Sequence, residues 1–132
     1  MHTPAAPADA ILLVDADPDS LAMYSSILAF NGWQAHTCPD ESRAVACALE
    51  CRPVAVVFGL GSPAGSSMDA LRELRQHPGT SHLPVLVTTT SLRASVRDRV
   101  NDVGADALLL KPCTPTELLL ALNDVLNGAL LC

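Results

Sequence analysis

Apolar and polar positions follow two different spacing patterns along this chain. Short runs of consecutive apolar residues, many of them β-branched, are typical of strands that are covered on both faces of a sheet. Between them lie longer segments in which apolar residues return every three or four positions, as one face of a helix requires. The short runs predict five strands, at residues 10–14, 33–38, 54–58, 84–89 and 106–110, of which the second is the least apolar.

Capping residues mark the ends of five intervening helices. A side chain that accepts a hydrogen bond in the first turn starts a helix, and a glycine in the left-handed conformation ends one. The predicted starts are at Asp17 before Pro18, at Asp40, near Ser66, at Ser91, and at Thr114, where Thr114-Pro115-Thr116-Glu117 is a capping box. The predicted ends lie near residues 31, 51, 75, 104 and 127.

Helical spacing also selects the side chains that face the core. The inward positions are predicted to be Leu21, Tyr24, Ile27 and Leu28 in the first helix, Val45, Ala48 and Leu49 in the second, Leu92, Val96, Val100 and Val103 in the fourth, and Leu118, Leu122 and Val125 in the fifth. Each of these four helices therefore has one apolar face to bury against a sheet.

Strands and helices that alternate with short connections predict an α/β fold with a doubly wound, five-stranded parallel sheet. In such sheets the functional crevice lies at the carboxyl ends of the strands. Asp15, Gly59, Thr89 and Lys111 stand at those ends. We expect one domain at residues 10–128, a flexible leader at residues 1–9 and a short tail at residues 129–132.

Composition narrows the possible partners. The formal charge of −6 opposes direct binding to nucleic acid or to anionic membranes. No apolar run approaches the length of a membrane helix, and the first residues lack the pattern of a secretory signal, so we expect a cytoplasmic protein. Hydrophobic residues make up 49% of the chain but aromatic residues only 3%, so aliphatic side chains must build the core.

The cysteines and histidines form no recognisable metal set. Five cysteines in a chain without an export signal argue against a disulfide framework. Cys47 and Cys51 lie four residues apart, on one face of a helix, but zinc usually takes four ligands. We expect Cys38, Cys47, Cys51 and Cys113 to be small buried residues and Cys132 to be exposed. The histidines, at positions 2, 36, 77 and 82, are expected on the surface or in loops, and we expect no metal or other cofactor.

Several short motifs lie close to the ends of the predicted strands and helices. They are the segment Val14-Asp15-Ala16-Asp17-Pro18-Asp19, Gly32-Trp33, Pro53 and Pro63 around the third strand, Pro84-Val85-Leu86-Val87-Thr88-Thr89, Gly104-Ala105-Asp106 and Lys111-Pro112. Together they resemble the receiver domains of two-component response regulators, a flavodoxin-like family, from about residue 10 to residue 127. The resemblance implies a signalling module, not an enzyme.

In that family an aspartate at the end of the third strand accepts a phosphoryl group, and carboxylates hold Mg²⁺. Carried over without gaps, the resemblance places Asp15 at the first acid and Asp17 at the third polar position. It places Thr89 at the hydroxyl residue and Lys111 at the lysine. Ala16 stands where a second acid belongs, and Gly59 stands at the phosphoacceptor.

Glycine cannot attack phosphorus or bind a metal, so the resemblance implies a degenerate phosphorylation site. Asp69, in Met68-Asp69-Ala70, imitates a motif that follows the acceptor, but using it would require compensating gaps. No Asp or Glu lies between Arg52 and Met68. We expect Lys111 to pair with Asp15 and Thr89 to be a hydrogen-bonded residue at the end of its strand.

Two positions bear on how such a domain would signal. Leu108 occupies the place of an aromatic residue that moves on activation in the family, and Thr90 occupies the place of a small residue.

The last helix carries an excess of apolar residues. The predicted contact surface comprises Leu120, Ala121 and Asp124 of that helix together with Arg93 and Arg97 of the fourth.

The main hypothesis is therefore a non-phosphorylatable receiver that binds a protein partner or effector domain, or forms a homodimer. One alternative is a sensor that binds a small ligand in the vacated crevice, where Thr89, Lys111 and Asp15 supply polar groups. Another is a phosphoacceptor that uses a different acid.

Overall fold

The computed structural model describes residues 9–61, 66–91 and 93–128, with only the backbone of Ser66. Its strands are β1 (Ala10–Val14), β2 (Gln34–Cys38), β3 (Ala55–Gly59), β4 (Val85–Thr89) and β5 (Ala107–Leu110). Its α-helices are α1 (Pro18–Phe30), α2 (Ala44–Cys51), α3 (Ser66–Gln76), α4 (Ala94–Val103) and α5 (Pro115–Asn127), with a 3-10 turn at Glu41–Arg43. Residues 1–8 of the predicted leader, the predicted tail, residues 62–65 between β3 and α3, and Leu92 lie outside the described residues.

The five strands form one parallel sheet in the order β2-β1-β3-β4-β5. This is the flavodoxin-like order, in which the chain first builds outward from β1 and then reverses beyond it. The predicted fold class is confirmed. The reversal brings the carboxyl ends of β1 and β3 side by side, since Val14 is the register partner of Phe58.

Each face of the sheet has its own apolar core. One core joins α2, α3 and α4 to the alternate strand residues that include Val14, Phe58 and Val87. The other joins α1 and α5 to residues such as Leu13, Val57 and Leu86. Because helices cover both faces, the central strands β3 and β4 are buried along their whole length. No helix in the described ranges has the length and apolar character that a membrane crossing requires.

Two helix starts agree with the capping signals. The Asp17 side chain accepts from the backbone N–H of Asp19, and Pro18 takes the first helical position of α1. At α5 the Thr114 hydroxyl accepts from the N–H of Glu117, whose carboxylate accepts from the N–H of Thr114. The left-handed glycines at the ends of α4 and α5 are also present, at Gly104 and Gly128.

The prediction that Ser91 caps α4 is wrong. The helix begins at Ala94, and Arg93 occupies the N-cap without a side-chain cap. The N–H of Ser91 instead donates to the Thr89 hydroxyl, so this residue belongs to the turn that leaves β4. Asp40 likewise caps the 3-10 turn rather than α2 itself.

The second helix departs from the predicted burial. Val45 and Ala48 are buried, whereas Leu49 is exposed and lies against Gly79 in the connection between α3 and β4. Cys47 and Cys51 are half-buried instead of buried, because their row of the helix flanks the core; Cys38 and Cys113 are buried as predicted. Of the described histidines, His36 lies half-buried on the edge strand β2, and His77 and His82 lie after α3.

Candidate functional site

Four strand ends converge on one edge of the sheet. Asp15 follows β1, Gly59 ends β3, Thr89 ends β4 and Lys111 follows β5. The backbone N–H of Lys111 donates to the Thr89 carbonyl oxygen at 2.7 Å, which fixes the last strand end against its neighbour. Asp15, Ala16, Asp17, Thr90 and Lys111 also line one open cleft with Leu60 and Gly61.

The centre of this cleft is an ion pair between Lys111 and Asp15. Lys111 Nζ lies 2.6 Å from Asp15 Oδ2, and the two side chains are only 13% and 7% exposed. The second carboxylate oxygen of Asp15 accepts from the Asp17 N–H at 2.9 Å. The pair predicted from the sequence is therefore present, and both of its charges are hydrogen-bonded, as a buried ion pair requires.

Ser20 extends this network into α1, and sequence reasoning missed it. Lys111 Nζ donates to the Ser20 hydroxyl oxygen at 3.1 Å, and that hydroxyl donates to Asp17 Oδ2 at 2.8 Å. The hydrogen bond from Ser20, followed by that from the Asp19 N–H, lowers the pKa of Asp17. The available signal was the spacing: a hydroxyl three residues after an N-cap aspartate lies within its reach.

Gly59 borders the carboxylate of Asp15 so closely that no side chain fits between them. A Cβ placed on Gly59 would lie 2.1 Å from Asp15 Oδ2 and 2.4 Å from its Cγ. The space into which a residue at the end of β3 would project is thus filled by the neighbouring aspartate. No sequence motif indicates this arrangement, since it depends on the rotamer of Asp15.

Thr89 is occupied by local hydrogen bonds. Its buried hydroxyl donates to the Ser91 carbonyl oxygen at 3.3 Å and lies 3.2 Å from the Ser91 N–H. The predicted role as a hydrogen-bonded residue at the strand end is confirmed. Ala16 and Thr90 are exposed at the rim of the cleft.

The receiver-domain model of response regulators matches residues 11–123. The chain belongs to this family. It is 34% identical over 119 residues to the transcriptional regulatory protein PrrA of Mycobacterium tuberculosis, an alignment that covers 89% of the chain and 49% of PrrA. Protein PilH of Pseudomonas aeruginosa is 29% identical over 118 residues, which cover 89% of this chain and 98% of PilH. The chain thus spans about half the length of PrrA but nearly all of PilH.

Solved receivers have the same fold. The chemotaxis protein CheY4 of Vibrio cholerae superposes with a TM-score of 0.82 at 25% identity, over 89% of this chain and 98% of CheY4. A five-stranded parallel sheet with five helices is therefore the receiver architecture in this chain as well.

The magnesium ion that the family resemblance implies does not fit the donors of this receiver. Mg²⁺ prefers several oxygen ligands in near-octahedral geometry. Ala16 and Gly59 offer no side-chain oxygen, and the carboxylate of Asp15 is already held by Lys111. Within the described ranges no group of three His, Cys, Asp or Glu residues is arranged to hold a metal.

The positions expected to signal lie on or next to α4, β5 and α5. Leu108 is half-buried on β5 and packs against the core under α4. Leu120 is 59% exposed on α5, and Asp124, Arg93 and Arg97 are also exposed. Ala121, in contrast, is half-buried against the α1–α5 core, so it contributes less exposed area to the predicted surface. Leu110, 43% exposed at the end of β5, is an addition that the sequence analysis did not name.

Proposed function

We propose that this receiver domain signals without being phosphorylated, by presenting one fixed conformation to a protein partner. The observation that carries the proposal is the position of Asp15. Its carboxylate fills the space beside Gly59 and neutralises Lys111 at 2.6 Å. The lysine that would bind a phosphoryl oxygen is thus already paired, and the strand end that would carry the acceptor has no side chain.

Other carboxylates are poorly placed to replace the acceptor. Asp17 is engaged as the N-cap of α1 and accepts from Ser20. Asp69 lies on α3, exposed to solvent and 3.2 Å from the guanidinium of Arg72. Phosphoryl transfer depends on positioning and on electrostatic stabilisation. Asp69 is not among the residues that line the cleft, and the carboxylate of Asp17 is already held by Ser20 and by the Asp19 N–H.

Incubation with a small phosphodonor and Mg²⁺ tests this proposal by intact mass. The chain should gain no phosphoryl group under conditions in which a receiver with an acceptor aspartate is labelled. A receiver with an acceptor aspartate, treated in parallel, is the positive control, because no side chain fits at Gly59 beside the present position of Asp15. Labelling of the unmodified chain that disappears in Asp15→Asn or Asp69→Asn would contradict the proposal and favour the alternative of a different phosphoacceptor.

The output surface is proposed to be the face formed by α4, β5 and α5. β5 is an edge strand, so this face is not covered by another strand of the sheet. Leu120 and Leu110 supply exposed apolar area, and Arg93, Arg97 and Asp124 supply exposed charges. Exposed apolar side chains together with exposed charges suit a protein partner, an effector domain or a second copy of the chain. The charge of −6 argues against direct contact with nucleic acid.

A sensor of small ligands is the alternative function, and the open cleft around Lys111 supports it. The ion pair weakens this alternative, since an incoming anion would have to displace Asp15 from the lysine. Inorganic phosphate should therefore leave the melting temperature unchanged. A concentration-dependent increase that is lost in Lys111→Met would support the sensor instead.

A further inference from the structure

Three of the five cysteines gather around β2 and α2. Cys38 ends β2, and Cys47 and Cys51 lie one turn apart on α2. The sulfur of Cys47 is 3.2 Å from the sulfur of Cys38, and all three thiols are free. Cys38 also donates to the Asp40 carbonyl oxygen at 3.1 Å, which orients its sulfur toward the turn that precedes α2.

We propose that Cys38 and Cys47 form a reversible disulfide in response to a peroxide. The peroxide first converts the Cys47 thiol to a sulfenic acid and is itself reduced to water. The sulfur of Cys38 then attacks the sulfenic sulfur, and a second water leaves with the proton of the Cys38 thiol. Two thiols and one molecule of hydrogen peroxide thus give one disulfide and two molecules of water. A thiol reductant reverses the bond by exchange.

The geometry favours this pair in two ways. A disulfide bond is about 2.05 Å long, so the two sulfurs need to approach by only about 1 Å. The two residues also differ in access: Cys47 is half-buried and open to a small oxidant, whereas Cys38 is 1% exposed. Burial raises the pKa of Cys38 to about 12, which makes its thiol the poorer first target for the peroxide.

The neighbouring thiol is a weaker partner for Cys47. Residues four apart on a helix have Cβ atoms about 5–6 Å apart. A disulfide requires about 3.5–4.5 Å between its Cβ atoms. Cys51 could reach Cys47 only if α2 were distorted, so the contact with Cys38 across two elements is the favourable one.

The bond would connect α2 to a strand beside the cleft. Cys38 is the register partner of Val14, and its carbonyl oxygen accepts from the Asp15 N–H at 3.1 Å. A cross-link at this point would restrain the β2–α2 connection directly next to Asp15. This inference does not depend on whether the domain is phosphorylated.

Because glutamates separate all five cysteines, proteolysis at glutamate can show which two cysteines are linked. Cleavage after Glu41, Glu50, Glu73 and Glu117 divides the chain into five peptides with one cysteine each. The full chain is treated with increasing hydrogen peroxide, its remaining thiols are alkylated, and the peptides produced by a glutamate-specific protease are identified by mass without reduction. We expect the peptide of residues 1–41 to be linked to that of residues 42–50, and the link to vanish after dithiothreitol.

Matched variants identify the thiols involved. Cys47→Ser should abolish the link, and Cys51→Ser should leave it at the level of the unmodified chain. The oxidised protein should melt at a higher temperature than the reduced protein, and this difference should be absent in Cys47→Ser. A link between residues 42–50 and 51–73, links only between molecules, or a sulfinic acid at Cys47 with Cys38 still alkylated would each overturn the proposal.

Discussion

At the scale of single residues, the site depends on the Asp15 carboxylate, which occupies the space beside Gly59. Gly59 leaves a gap at the end of β3, and the carboxylate of Asp15 fills it. There the carboxylate accepts from Lys111 and from the Asp17 N–H, so two donors hold it in one rotamer. The sequence shows that residue 59 is a glycine, but only the structure shows that the Asp15 carboxylate occupies the space beside it.

A methyl group at Gly59 should therefore be costly. Its carbon would lie 2.1 Å from Asp15 Oδ2, so the carboxylate must move and its ion pair with Lys111 must loosen. We expect Gly59→Ala to reduce the free energy of unfolding by about 1–3 kcal/mol, as overpacking of a filled site does. Urea titration followed by circular dichroism measures this loss.

Gly61→Ala is the matched control, at a position two residues further along the chain. Its Cβ would lie 3.4 Å from the Ser67 hydroxyl oxygen, which is ordinary contact. Both substitutions lower the entropy of the unfolded chain equally, so their difference isolates the contact with Asp15. Gly61→Ala should change stability by less than about 0.5 kcal/mol. Equal stability of the two variants would show that Asp15 moves away without cost.

At the scale of helices and strands, local signals located some boundaries and not others. The starts of α1 and α5 were predictable because proline and a capping side chain both act within one turn. The start of α4 was not, since Ser91 is held by the side chain of Thr89 at the end of β4. The predicted inward position of Leu49 was wrong for a similar reason. Its side chain lies against Gly79 in the connection after α3, and periodicity within α2 cannot show this contact.

The cap of α1 should respond to acid. Hydrogen bonds from Ser20 and from the Asp19 N–H lower the pKa of Asp17 in the folded chain below its value of 3.8 in the unfolded chain. The folded state therefore binds this proton less readily than the unfolded state. The stabilisation is present above the unfolded pKa and is lost as the pH falls through the lowered folded value.

Asp17→Ala should consequently lower the melting temperature by a few degrees at neutral pH, and the difference from the unmodified chain should shrink below about pH 4. Asp19→Ala is the control, because Asp19 lies in the same first turn but does not occupy the N-cap. Thermal melts across pH 2–7 provide the comparison. A constant difference across this range would show that the charge of Asp17 does not contribute.

At the scale of the whole molecule, the sheet order separates the cleft at the strand ends from the proposed output surface. The cleft lies at the carboxyl ends of the central strands, while α4, β5 and α5 form one flank of the domain. Alternation of strands and helices was sufficient to predict this layout, since helices must cover both sheet faces. It was not sufficient to predict exposure on the edge strand, where Leu110 emerges at the end of β5.

Leu120 offers the sharpest test of that flank. It is 59% exposed, so Leu120→Asp should leave the fold intact while placing a charge in the centre of any contact. Burial of one leucine contributes roughly 1.5–3 kcal/mol, and 1.4 kcal/mol is one decade in affinity, so self-association or partner binding should weaken by about ten-fold or more. Sedimentation and circular dichroism of the two proteins give both readouts.

Leu118→Asp, two residues earlier on α5, separates a surface effect from a core effect. Leu118 is fully buried against the α1–α5 core, so a charge there should unfold the domain. If Leu120→Asp also loses its circular dichroism signal, Leu120 belongs to the packing of α5 and not to an interface. If Leu120→Asp keeps both its fold and its association, the α4–β5–α5 flank is not the contact surface. The search would then move to α1, where Phe30 and Met23 are exposed apolar side chains.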